Sequence, residues 1–208
     1  GLIMSGYSDV IPVTITADTV ALDADGISVA ASVGNNAALV IGGALADGGS
    51  VTLSHGRLVT ILSAGDDSSK SFTVVGTDVN GDSQTETVTG ANAGTATSSK
   101  YFKTIASITA VGNPAGNVSA GINASAADAI FTMRSRLKGM FLTSTATAGE
   151  VDFLTSSPTG TSIMKLNSVG DADATRDVTI PDEGVVFASG IYIQYTVSTF
   201  LTMTVFHA

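Results

Sequence analysis

Apolar and polar side chains alternate along most of this chain with a period of two, the spacing of β-strands that bury one face. Val10-Ile11-Pro12-Val13-Thr14-Ile15-Thr16 sets Thr against aliphatic residues. Pro12, with no amide hydrogen to donate, places that run at a sheet edge or a strand start. Val51-Thr52-Leu53-Ser54 and Leu58-Val59-Thr60-Ile61-Leu62 predict two strands joined by a short turn at His55-Gly56-Arg57. Residues 71–77 and 83–89 predict a hairpin whose tip, Asp78-Val79-Asn80-Gly81-Asp82, carries the Asn-Gly pair that supplies positive φ. Phe72 and Val74 mark its buried face, and the Thr-rich second arm reads as the outer strand of a half-wet antiparallel sheet. Residues 101–111 form a long alternating strand, stopped by the turn cluster Gly112-Asn113-Pro114-Ala115-Gly116, and 117–122 return. No stretch carries an apolar stripe at 3.6 spacing. Residues 37–45 have the composition for a helical turn, which Gly42-Gly43 opposes.

Residues 123–129 hold only small side chains and Asp128, and 124–129 are expected to be a linker. Bulkier strands follow at 130–133, 139–143, 150–154, 162–166, 177–181, 185–187, 191–195 and 201–206, separated by Gly, Ser, Pro and Asp turns. This rhythm predicts a β-sandwich or jelly roll. The fold class is therefore all-β, with two antiparallel β-domains. An N-terminal arm (1–9) precedes a β-domain (10–123), and the C-terminal β-sandwich, jelly-roll-like, spans 130–208.

Charge narrows the function classes. Only 13% of the 208 residues are charged, about half the ordinary share, and the net charge is −9. Nine scattered basic residues in an acidic chain argue against binding nucleic acid through its phosphates. The longest apolar runs fall short of the ~20 residues of a membrane-spanning helix, and no membrane partner is expected. The start, Gly1-Leu2-Ile3-Met4-Ser5, has no basic region of a signal peptide. It fits the loose myristoylation pattern, for which removal of an initiator Met is the simpler reading. Without cysteine there is no disulfide frame, thiolate metal site or cysteine nucleophile.

Candidate chemistry is sparse. The two histidines are His55, in the expected turn, and His207, at a chain end expected to fray. Neither lies near a Gly-x-Ser-x-Gly elbow. Asp78, Asn80 and Asp82 alternate like calcium ligands, yet the twelfth position is Thr89 and the flanks are strands, so turn chemistry accounts for them. Asp66-Asp67 and residues 171–173 are expected to be exposed loop acids. Aromatics at 6% with no Trp disfavour a sugar-cleaving or strongly lectin-like role. Gly42-Gly43 and Gly48-Gly49 lack the continuation of a phosphate loop. No catalytic residue, cofactor or metal is expected. Arg134, Arg136 and Lys138 form one local basic group, suited to orienting a contact with an acidic neighbour.

Two stretches carry a resemblance. The first runs through Phe72-Thr73-Val74, Gly76-Thr77-Asp78, Asn80-Gly81-Asp82, Gln84-Thr85-Glu86, Gly90-Ala91-Asn92-Ala93-Gly94 and Tyr101-Phe102-Lys103-Thr104. The second includes Arg136-Leu137-Lys138-Gly139, Thr179-Ile180-Pro181, Gly184-Val185-Val186-Phe187, Gly190-Ile191-Tyr192-Ile193 and Thr202-Met203-Thr204-Val205-Phe206. Both resemble modules of structural proteins from tailed phages, especially marine ones. The resemblance implies a non-enzymatic virion component on the outer capsid surface. A decoration or cement protein contacting the major capsid protein is the leading form, and a short tail or head fibre, an adhesin for a host receptor, is the rival. No fixed-period repeat of a fibre shaft is found. Leu2, Ile3, Met4 and Tyr7 of the arm, with Arg134, Arg136 and Lys138, are the candidate capsid contacts. Phe187, Ile191, Tyr192, Ile193, Tyr195, Phe200, Leu201, Met203 and Phe206 crowd a small module, and are expected to supply a self-association face for a homotrimer.

Overall fold

In the computed structural model, residues 10–16, 23–123, 127–181, 183–196 and 199–208 are described, and they contain sixteen strands and no helix. In chain order the first eight are β1 (Ile11–Thr16), β2 (Asp23–Ala31), β3 (Ala46–Asp47), β4 (Ser50–Ser63), β5 (Ser71–Thr77), β6 (Ser83–Thr89), β7 (Thr95–Val111) and β8 (Val118–Ile122). Then come β9 (Ala127–Phe131), β10 (Ser135–Ser144), β11 (Ala148–Thr155), β12 (Thr161–Val169), β13 (Thr175–Thr179), β14 (Val185–Phe187), β15 (Ile191–Tyr195) and β16 (Phe200–His207). Contacts divide the chain into two compact units. One is the described chain from β2 to Ala129; the other joins β1 to everything described from Ile130 onward.

The first unit is one sheet in the order β2-β8-β4-β7-β5-β6, with β3 beside β4. Its hairpin β5–β6 pairs from Ser71↔Thr89 to Thr77↔Ser83 without a slip. The tip explains that register. Asp78 Oδ1 accepts from the amides of Asn80 and Asp82, both at 2.9 Å, and Gly81 takes φ +89°. Phe72, Val74 and Val88 are buried in a core with Ile27, Val59, Ile61, Phe102, Ile105 and Ile108. The 37–45 segment forms no helical turn. The Leu39 amide donates to Ile108 O at 2.8 Å, the amides of Gly42 and Gly43 donate to Ile27 O, and Leu39, Ile41 and Leu45 pack on the core. Gly43 has the physical reason: a Cβ there would sit 2.3 Å from Asp25 O.

Residues 55–57 are not a turn either. β4 is continuous, and its pairing with β7 jumps from Thr52↔Thr104 to Arg57↔Phe102, so residues 53–56 bulge opposite Lys103. Arg57, where the pairing resumes, is turned inward and is 2% exposed.

The second unit contains two sheets, β1-β16-β10-β13 with β14 on β10, and β12-β11-β15-β9, where only Ile130 and Phe131 of β9 belong to this unit. The edge-on rings of Tyr195 (β15) and Phe200 (β16), 5.0 Å apart, join the inner faces of the two sheets, as in a sandwich. Leu137, Met140, Leu142, Met203 and Val205 from one sheet, and Val151, Phe153, Ile191 and Ile193 from the other, are buried. All eight strands expected beyond residue 129 are present.

Two expected boundaries change. β1, expected to open the N-terminal β-domain of 10–123, instead pairs with β16 from Ile11↔His207 to Thr16↔Thr202. Its buried Ile15 thereby joins the C-terminal core. The expected linker 124–129 is strand from Ala127 onward, with Ala127, Asp128 and Ala129 buried; residues 124–126 lie outside the described ones. Small side chains signalled close packing there rather than a tether.

Candidate interaction surfaces

Strand alternation sets which side chains leave the five-stranded sheet on its outer side. With Met203, Val205, Met140 and Leu142 facing the core, their neighbours face out in cross-strand rows. One row is Pro12, Phe206, Gly139 and Thr179; the next is Thr14, Thr204, Phe141 and Asp177; the third is Thr16, Thr202, Thr143 and Thr175. Thr14 and Thr204 link hydroxyls at 2.8 Å, and the Phe141 and Phe206 rings lie 5.9 Å apart. Phe141 remains 38% exposed. The face is thus a threonine lattice around an aromatic pair, with Asp177 its one charge in these rows.

The residues expected to mediate self-association are mostly elsewhere. Phe187, Ile191, Ile193, Tyr195, Phe200 and Met203 are buried within the sandwich, so they fill this chain's own core. The recruitment of β1 and the pairing of two sheets supply the interior places a lone short module lacks. Tyr192 and Phe206 are half-buried. Leu201 is the extra residue of a bulge between Thr143↔Thr202 and Ser144↔Phe200, and is 50% exposed.

Of the expected capsid contacts, Leu2, Ile3, Met4 and Tyr7 lie outside the described residues. Arg134 is exposed in the β9–β10 connection. Arg136 Nη1 and Lys138 Nζ both donate to the carbonyl of Glu183, at 3.3 and 3.1 Å, clamping the approach to β14.

His55 is half-buried in the β4 bulge. His207 does not fray: β16 lies between β1 and β10, so the ring is buried against Phe131 at 4.8 Å, with Nδ1 3.1 Å from Ser135 Oγ. That hydroxyl donates to Ala208 O at 3.1 Å, which makes the pair a structural link. Burial lowers the His207 pKa from 6.5. The unfolded chain therefore takes up this proton at higher pH than the folded one. The histidine's contribution is complete above its ordinary pKa and is lost as pH falls through the folded value. Urea unfolding between about pH 7.5 and 5 should show a loss of stability in the native protein that His207→Gln removes; matching pH profiles would refute it.

Among the acids, Asp66 accepts from Ser68, whose side-chain hydrogen bond chiefly lowers the Asp66 pKa. Asp67, expected to be an exposed loop acid, is buried instead, with Oδ1 accepting from the Ala115 amide at 2.7 Å. It ties two loops together. Asp171 and Asp173 are exposed. Among the described residues no three His, Cys, Asp or Glu side chains are grouped to hold a metal ion.

Two charged clusters were not singled out in the sequence. Arg57 and Asp128, both in the unit that ends at Ala129, form a buried ion pair, and Arg57 Nη1 also donates to Ala127 O at 3.3 Å. Among the described residues, Arg57 Nη2 has no hydrogen-bond partner. Lys103 stands nearby with Nζ 2.5 Å from Ser54 O, and burial lowers its pKa while Asp128 opposes that shift. The second cluster is an open groove of about 330 Å³ on the outer side of the four-stranded sheet, lined by Glu150, Asp152, Lys165, Gln194, Tyr195 and Thr196. Asp152 is paired with Lys165 on one side and Gln194 on the other. Lys165 Nζ lies 2.7 Å from Glu150 Oε1 and 3.5 Å from Asp152 Oδ2, and the Glu150 hydrogen bond chiefly raises its pKa. The usable signal was Glu150-Val151-Asp152 facing Lys165 across a hairpin.

No protein-family model, curated protein sequence or solved structure matches the chain.

Proposed function

We propose that this protein is a non-enzymatic structural component of a tailed-phage particle, a decoration or cement protein on the outer capsid that binds the major capsid protein and assembles as a homotrimer. In this reading the C-terminal unit is a jelly-roll-like sandwich that presents a docking face. The observation that carries it is the outer face of the five-stranded sheet, where Phe141 and Phe206 stand among threonines. Such a face has few charges to desolvate and a central aromatic pair, the composition favoured at the middle of protein–protein contacts. Its edge strand, β1, is continuous in sequence with the 1–9 arm, whose Leu2, Ile3, Met4 and Tyr7 supply further apolar contacts. The phage-like strings in both halves of the sequence point the same way.

The test uses heads lacking this chain, prepared from the phage that encodes it, and measures co-sedimentation of added protein. Native protein should bind as a trimer by light scattering. Phe141→Ser should weaken binding by at least about thirtyfold, the scale of losing a central aromatic. Deletion of Gly1 to Tyr7 should abolish it. Undiminished binding by both variants, or no binding by the native chain, would refute this assignment.

A further inference from the structure

We propose that the groove on the outer face of β12, β11 and β15 is a binding site for a neutral saccharide. This goes beyond a capsid-docking role, because the groove is on the other sheet of the sandwich from Phe141 and Phe206.

The hydrogen-bonding inventory selects the ligand class. Glu150 and Asp152 only accept when ionised, Lys165 only donates, and Gln194 and Thr196 do both. An anion would face two carboxylates. A metal cation would have to displace the Lys165 ammonium from both of them. An apolar ligand would cover polar groups without replacing their hydrogen bonds, which is costly. A neutral polyol meets every requirement, since each hydroxyl both donates and accepts.

The spacing suits a molecule bearing several hydroxyls. Glu150 and Asp152 leave the same face of β11 two residues apart, roughly 7 Å, while Lys165 and Gln194 flank Asp152 on strands about 4.8 Å away. The cluster is already ordered. Beyond the two Lys165 contacts, Ser162 Oγ donates to Asp152 Oδ1 at 2.6 Å, and the Thr196 amide donates to Glu150 O at 2.9 Å. An ordered site loses less side-chain freedom on binding. Tyr195 is the aromatic residue of the lining, and its ring packs on Phe200. The groove therefore holds a sugar by hydrogen bonds alone, and weakly, as suits a chain too poor in aromatics for a strong lectin site. The volume, about 330 Å³, is at the lower end for small-molecule sites and fits a short saccharide.

The experiment is a ¹⁵N–¹H NMR titration of the full chain with maltose, cellobiose, lactose and N,N′-diacetylchitobiose, alongside calcium chloride and a heparin disaccharide. At least one neutral sugar should give saturable shifts at Glu150, Asp152, Lys165 and the Gln194 side-chain amide, with a dissociation constant on the order of 1 mM. Asp152→Asn and Gln194→Ala should each weaken that binding by roughly tenfold. Their spectra away from the groove should match the native protein, establishing that the fold is intact. No saturable shift with any neutral sugar would overturn the proposal. So would shifts confined to other surfaces, a response only to calcium or the heparin disaccharide, or undiminished binding by both variants. Capsid binding is measured separately, so either reading can fail without the other.

Discussion

Replacing Asp128 with Ala should destabilise the protein by about 3–5 kcal/mol, because it leaves the Arg57 guanidinium charged and uncompensated in a buried site. Both side chains are almost wholly removed from water, at 2% and 0% exposure. Arg57 Nη2 has no hydrogen-bond partner among the described residues, so losing Asp128 leaves the guanidinium still less satisfied. The pair itself is not strongly stabilising, since desolvation offsets most of its attraction. The double variant Arg57→Met/Asp128→Leu should therefore recover most of the loss. Urea unfolding of the two single variants and the double variant measures this directly. A loss below about 1 kcal/mol for Asp128→Ala would mean that water reaches the pair.

Phe200→Ala should cost about 3–5 kcal/mol, whereas Leu201→Ala, one residue later, should cost less than about 0.5 kcal/mol. Phe200 is 1% exposed and meets Tyr195 edge-on, while Leu201 sits in a bulge, half in water. The pair of substitutions separates core from contact surface. If Phe200 packs inside its own chain, the Phe200→Ala defect persists at any protein concentration. A loss of stability that vanished on dilution of the native protein would instead make Phe200 an interface residue.

Local chemistry was legible in the sequence, and long-range pairing was not. The β5–β6 hairpin could be read because Asp78, Asn80 and Gly81 encode its turn within a few residues. The strands from 130 onward could be read because each alternates between turns. Alternation tells which face a residue occupies but not which strand lies beside it, so nothing in residues 10–16 announces β16. β2 was missed because Gly26 and its acids break the alternation, and its pairing with β8 is correspondingly irregular. The β4 bulge has the same origin: Gly56 resembles a turn residue, and the partner that buries Arg57 lies 71 positions away. The small residues of β9 resembled a tether for the same reason. Around the groove, the acids at 150 and 152 and the base at 165 were each visible, but only the β11–β12 register shows that they meet.

The pairing of β1 with β16 makes the entire β2–β8 sheet an insertion within the other unit. As the ribosome delivers the chain, β1 precedes its partner by fourteen described strands. Its apolar residues wait until β16 has been made before that strand can cover them. The inserted unit has all its strands before β10 is made, so it can fold early and act as a preformed brace that shortens the effective loop closed by β1 and β16. Assembly of the sandwich is then a contact of high sequence separation, which makes it the slow step. A circularly permuted chain that joins residue 208 to residue 10 and opens elsewhere would turn that closing contact into a local hairpin, and should fold faster to the same structure.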